Sequence, residues 1–258
     1  MTGVPKPTPI EAFDLNLADA RWLIQTAQVL QNQRARRMRK ELRAAFGNAL
    51  RLPARDHDLL DCFESQDLFV VIKPGSSIDR HHVGALDPLL RQSIVAGCAA
   101  LETYIADAVC ARIGLPIRQQ GELPSRLGRI SLTVADWKLI EDTYERRRRG
   151  LREKILVPTI REISSTAPNQ VGILLSMLGI ADWAKKVDSV RKVRQSETVD
   201  QLTALTARRN RIAHEGDRRG YGRSHITVSE ARGHVDVAEG VARAIEMILA
   251  PVTGSGGE

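Results

Sequence analysis

The stretch ARRNRIAHEGD, residues 207–217, brings an arginine, an asparagine and a histidine together where a helix is expected to end. A guanidinium grips phosphate oxygens and an imidazole exchanges protons near neutral pH, and phosphodiester cleavage needs both. Asn210 and His214 are four residues apart and share a helix face. Gly216 has the place of a left-handed C′ residue, which leaves His214 in the last turn. There the helix dipole, Glu215 and Asp217 are expected to favour the protonated ring. Steps of four and three from Leu205 reach Arg209 and Ile212, so Arg209 is expected on the core-facing stripe. A guanidinium there needs a carboxylate, a phosphate or a subunit interface. The same residues also make an ordinary polar helix end with a histidine cap, so spacing alone leaves catalysis and capping both open.

The next segment, DRRGYGRSH, sets Arg218, Arg219 and Arg223 around Tyr221, an aromatic on which a base can stack. With Arg208 and Arg211 these are the expected substrate contacts; a flexible loop is the competing reading. ERRRRGLREK, and the run Arg34, Arg36, Arg37, Arg39 and Lys40, suit either a nucleic-acid backbone or a solvated face. His81 and His82 lack carboxylate or cysteine partners at metal spacing. His214, His225 and His234 have no defined metal geometry. Neither a metal site nor a cofactor is therefore expected, and no phosphate-loop or nucleophile-elbow pattern is present.

The elements that must position these groups read as helices. Residues 1–10, with three prolines, read as a disordered lead-in. Residues 13–50 follow as a helical stretch with Leu17, Leu23, Ile24, Ala27 and Leu30 at helical spacing. DLFVVIKPGSS suggests a short strand or buried turn and the domain boundary. DPLLRQSIVAGCAALETYIADAVCARIG is a widely buried helix from Pro88 to Gly114, with Glu102 interrupting one apolar stripe and therefore in need of a partner. One or two helices surround the Arg146–Arg149 run, with a break at Pro158. A short apolar helix, a basic amphipathic one and the Arg209 helix follow. The last helix opens with capping-box spacing at Thr227 and Glu230.

The 258 residues include 38 Lys+Arg against 31 Asp+Glu, a net charge of +7, which favours polyanions such as RNA or DNA over membranes. Aromatics are only 4%, which suits aliphatic helix packing. Cys98 and Cys110 lie in one helix too far apart to bridge, and three unpatterned cysteines suit a reducing cytoplasm. The N-terminus has no apolar signal core, and VGILLSMLGIADWA is too short to span a bilayer, so no membrane role is expected.

Arg209, Asn210 and His214, matched as R-N-x-x-x-H, resemble the signature of HEPN-domain proteins. LLRQSIVAGCAALETYIADAV resembles the opening helix of the RiboL-PSP type, and ITVSEARGHVDVAEGVARAIEMIL its final helix. The resemblance covers residues 76–250. It implies an all-α bundle of about five helices that dimerises; residues 1–75 read as a helical extension outside it, and the Gly/Ser-rich 251–258 as a flexible tail. It also implies a metal-independent endoribonuclease of a toxin–antitoxin or phage-defence system, or else a non-catalytic module binding RNA, a nucleotide or a protein. In the catalytic case His214 moves a proton, Arg209 holds the phosphate, Asn210 orients either, and Glu102 fixes Arg209. A third reading is an interaction scaffold, with residues 1–75 as a docking arm for an antitoxin or sensor protein. The tyrosine that modified HEPN toxins carry two residues past the histidine is replaced by Gly216.

Overall fold

The computed structural model describes residues 6–32, 40–49, 51–59, 86–118, 121–144, 146–219 and 222–253. The strand-like run at 67–77, the boundary at 75, Cys62, His81, His82, Tyr221, Arg34–Arg39 and the tail from 254 lie outside them. The chain is all-α, as expected, and its described strands are two pairs of residues in one small hairpin.

Helix α1 (Pro9–Asn32) begins inside the stretch expected to be disordered. Thr8 and Glu11 cap it, the Glu11 carboxylate accepting the Thr8 N–H at 2.8 Å and the Thr8 hydroxyl at 2.8 Å. Phe13, Leu17, Ala20, Ile24 and Ala27 recur at steps of four and three, and all are buried. Leu23 is only half-buried. Helix α2 (Lys40–Ala49) follows, with Gly47 inside it.

Helix α3 (Asp87–Arg112) is the centre of the fold. Leu90, Ile94, Cys98, Leu101, Ile105 and Val109 form its most buried stripe, and Pro88 occupies its first turn. It does not stop at Gly114: Ile113 keeps right-handed backbone and the chain runs on as α4 (Gly114–Arg118). Asp87–Arg118 is long and apolar enough to cross a membrane, a longer apolar stretch than VGILLSMLGIADWA, yet most of it is buried against neighbouring helices.

Thr133 and Asp136 form a complete capping box on α5 (Val134–Thr143). Pro158 does not break the next segment. Helix α6 (Arg147–Leu151) continues through a π turn (Arg152–Leu156) into α7 (Val157–Ile163). Proline has no N–H to donate, and the turn before it widens instead. Helices α8 (Pro168–Ser176), α9 (Trp183–Arg191), α10 (Glu197–Glu215) and α11 (Val228–Thr253) complete the bundle. Strands β1 (Arg218–Arg219) and β2 (Gly222–Arg223) pair antiparallel between α10 and α11.

Helix α1 shares one core with α3 and α11. Along α11, Ala231, Val235, Ala238, Val241, Ile245 and Leu249 face inward. A Cβ at Gly97 would lie 3.3 Å from Val235 Cγ2, which marks how closely α3 and α11 approach. Gln28 pairs with Arg232, Arg21 with Glu239 and Asp14 with Arg243, so α1 runs antiparallel to α11. The N-terminal helix is thus part of the bundle and not an arm beside it. Its apolar stripe is buried in that shared core.

Candidate functional site

Helix α10 carries Arg209, Asn210 and His214, and its neighbours fix both of its ends. At the N-terminus the Asp188 carboxylate of α9 accepts the backbone N–H of Ser196 at 2.7 Å and of Thr198 at 3.0 Å. These are first-turn donors without helical partners, and a side chain from another helix satisfies them. Burial works to raise the Asp188 pKa, but Thr198, Ser196 and the Arg191 charge outweigh it and hold the carboxyl below its ordinary value. Arg191 ties the same turn through Thr198 Oγ1 at 2.8 Å and Gln201 Oε1 at 2.7 Å.

At the C-terminus Gly216 has φ 63°, the left-handed position expected of it. Its N–H and that of Asp217 (2.9 Å) both end on the Arg211 carbonyl. Asp217, also left-handed at φ 56°, turns inward. The Ser224 N–H bonds the Asp217 carbonyl at 2.8 Å and closes the hairpin base, so DRRGYGRSH is ordered at its root.

Asp217 is the hub of a buried ion cluster. Arg91 Nε donates to its Oδ2 at 2.8 Å, and Arg208 Nη1 donates to its Oδ1. Arg208 Nε reaches Glu230 Oε1 at 3.0 Å, and Arg91 also contacts Asp87 and the Ser224 carbonyl. Arg91, Arg208 and Asp217 are exposed by only 7, 4 and 1%. Glu230 therefore completes half a capping box: its N–H donates to the Thr227 hydroxyl oxygen at 3.1 Å while its carboxylate accepts from Arg208.

Three expectations are corrected by this cluster. The arginine turned inward is Arg208, three residues beyond Leu205, and not Arg209, four beyond. Arg208 is consequently no substrate contact, because two carboxylates enclose its guanidinium. Asp217 is likewise occupied by Arg91 and Arg208, so it is not a partner for His214.

Arg209 lies on the flank of the stripe, against α3. Its Nη2 is 3.7 Å from Glu102 Oε2, with side-chain exposures of 30 and 22%. Thr166 N–H reaches Glu102 Oε1 at 3.4 Å, and the Thr166 and Thr206 hydroxyls meet at 2.8 Å. Glu102 therefore links α3, the α7–α8 loop and α10. Arg209 Nη1 also donates to Asn210 Oδ1 at 3.1 Å. Asn210 and His214 are exposed, and His214 makes no hydrogen bond with any described residue. Arg211, Arg218 and Arg223 are exposed, and Arg219 lies in β1.

Cys98 lies beneath this patch. Burial, and then the Glu102 charge, push its thiol up to about 12 against the pull of Arg209, so it is not a nucleophile. Burial also holds the His234 imidazole of α11 below its ordinary pKa; Glu230 opposes this, while Arg208 and Arg211 reinforce it. Among the described residues no three His, Cys, Asp or Glu side chains are grouped to hold a metal ion.

Sequence reading missed Arg91, Asp217, Asp87 and Glu230 as one unit. A signal was present: Asp87 and Arg91 are four apart at the start of an apolar helix, and an arginine between Leu90 and Ile94 requires a buried anion.

The RiboL-PSP-HEPN family model matches residues 61–250, well over half of the chain, so the chain belongs to that family. No curated protein and no solved structure matches it.

Proposed function

We propose that this member of the RiboL-PSP-HEPN family is an endoribonuclease that cuts RNA without a metal ion, as a cytoplasmic defence or toxin–antitoxin effector. The family itself points to an RNase or a nucleotide-binding module. The observation that carries the catalytic reading is the exposed end of α10, where His214 and Asn210 stand open to solvent beside an Arg209 braced by Glu102.

In the proposed step the 2′-oxygen attacks phosphorus and the bond to the 5′-oxygen breaks. One imidazole takes the 2′-hydroxyl proton and another gives a proton to the leaving oxygen. Arg209 holds the non-bridging oxygens as charge builds, and Asn210 orients the guanidinium or the phosphate. The product is a 2′,3′-cyclic phosphate and a 5′-hydroxyl.

Helix geometry supports a site shared between two copies. Arg209 and His214 are five residues apart, which separates them by roughly 140° around the axis and roughly 7.5 Å along it. One copy presents them in diverging directions; two copies facing across α10 bring both histidines and an arginine to one phosphate. An antitoxin or sensor protein covering this face is the proposed regulator.

The test is incubation of purified protein with RNA in the presence of a chelator, with end-group analysis of the products and molar mass by light scattering. Cyclic phosphate ends from a dimer are expected. Binding of RNA or a nucleotide with no cleavage would favour the second reading, a non-catalytic module, which the absence of an internal partner for His214 among the described residues also suits.

A further inference from the structure

The exposed Arg146–Arg149 run does not stand alone. With Arg112, Arg118 and Arg152 it lines one cleft of about 1230 Å³, walled on the other side by Ala111, Gly114, Leu115 and Ile117. The run enters α6 while Arg112 and Arg118 come from the end of α3 and from α4. Two distant segments therefore converge seven guanidiniums on one space.

Few acids answer them. Arg152 is beside Glu153, Arg147 reaches Glu141 at 2.8 Å, and Arg112 reaches Glu246 at 2.8 Å. Arg118, Arg146, Arg148 and Arg149 form no ion pair among the described residues. Arg112 is only 8% exposed, and its Nε has no acceptor among them. A buried, anchored arginine at the floor and four free ones at the rim make a site for several phosphates.

We infer that this cleft binds the phosphodiester backbone of single-stranded RNA, apart from the Arg209–His214 end of α10. Its volume exceeds the range of roughly 300–1,000 Å³ usual for small-ligand pockets. Beside the cleft, the guanidinium of Arg147 lies 5.4 Å over the Trp137 ring, and that tryptophan is exposed. A basic groove flanked by an open aromatic is how proteins hold single strands, with phosphates on the arginines and a base on the ring. Arg112 is ten residues beyond Glu102 on α3, roughly 15 Å along the axis. A strand only a few nucleotides long spans that distance. The cleft would hold the flank of the strand that α10 cuts, and this rests on the RNA reading proposed above.

The test uses full-length protein carrying His214→Ala, so that RNA is bound and not consumed. Fluorescence anisotropy with a short labelled single-stranded RNA is compared with and without Arg118→Glu, Arg148→Glu and Arg149→Glu. All three residues are exposed and free of ion pairs among the described residues, so the fold is expected to survive, and circular dichroism checks it. The reversals should raise the Kd at least about tenfold and flatten the logarithmic salt dependence by about 2, close to 0.7 for each phosphate that is no longer neutralised. Trp137→Ala should weaken binding by about tenfold with the salt slope unchanged. Unchanged affinity and slope in the reversed variant overturn the inference. Cleavage by wild-type protein is scored separately. A failed nuclease assignment with arginine-dependent binding leaves the cleft standing, and intact catalysis with arginine-independent binding removes only the cleft.

Discussion

Arg91 and Asp217, 126 residues apart in sequence, meet at 2.8 Å in the interior, and Arg208 closes on the same carboxylate from α10. The pair joins the first turn of α3 to the residue that ends the Arg209 helix. A carboxylate so placed sets where α10 stops and which way the hairpin leaves.

Asp217→Ala should therefore be among the most damaging single changes. It takes from two buried guanidiniums the carboxylate they share, leaving Arg91 with Asp87 and Arg208 with Glu230, and breaking such a cluster costs about 3–5 kcal/mol. The urea midpoint measures it, and a loss below about 1 kcal/mol would show the cluster to be dispensable.

The N-terminal cap of α10 gives a pH dependence. Asp188 is held below its ordinary carboxyl range in the folded chain, so its contribution is complete above the unfolded pKa near 4 and is lost as pH falls through the lower folded value. Asp188→Ala removes the carboxylate that accepts two backbone N–H groups and should cost about 1–3 kcal/mol at pH 7. The gap between wild type and variant, followed by urea unfolding from neutral pH down to pH 3, should narrow in acid. A gap that widened there would mean that the folded chain raises the Asp188 pKa instead.

Much of this frame is legible in the sequence, and the failures have a common origin. The stripes of α3 and α11 and the left-handed Gly216 follow from apolar spacing and one glycine. The choice between Arg208 and Arg209 does not, because steps of three and four both lie on a helical stripe. It is settled by Asp217 and Glu230, which are remote from Leu205 in the pattern. The place of α1 is equally hidden, since an amphipathic helix does not name the surface it covers.

For α1 the consequence is quantitative. Phe13 is 1% exposed and packs at a tilt against Tyr104 with ring centroids 5.5 Å apart. Phe13→Ala should cost about 3–5 kcal/mol. Removal of residues 1–32 should leave an aggregating or molten protein by size-exclusion chromatography and near-UV circular dichroism. A soluble, cooperatively folded product would restore the picture of a separable arm.

Glu102→Gln separates positioning from stability. The Glu102–Arg209 pair is partly exposed, so its loss should change stability by less than about 1 kcal/mol. RNA cleavage should nonetheless fall by tenfold or more, chiefly in kcat, because Arg209 loses the group that aims it. Equal activity in the two proteins would confine Glu102 to packing α3, α10 and the α7–α8 loop together.

The most direct measurement is single-turnover cleavage of RNA, in chelator, by wild-type and His214→Ala protein of matched secondary structure and thermal midpoint. His214 is exposed and bonded to no described residue, so the fold should be untouched. Cyclic phosphate ends are expected from the wild type, with a rate lower by about 10²–10⁴-fold in the variant. Cleavage by His214→Ala within about twofold of wild type would contradict a catalytic imidazole at the end of α10.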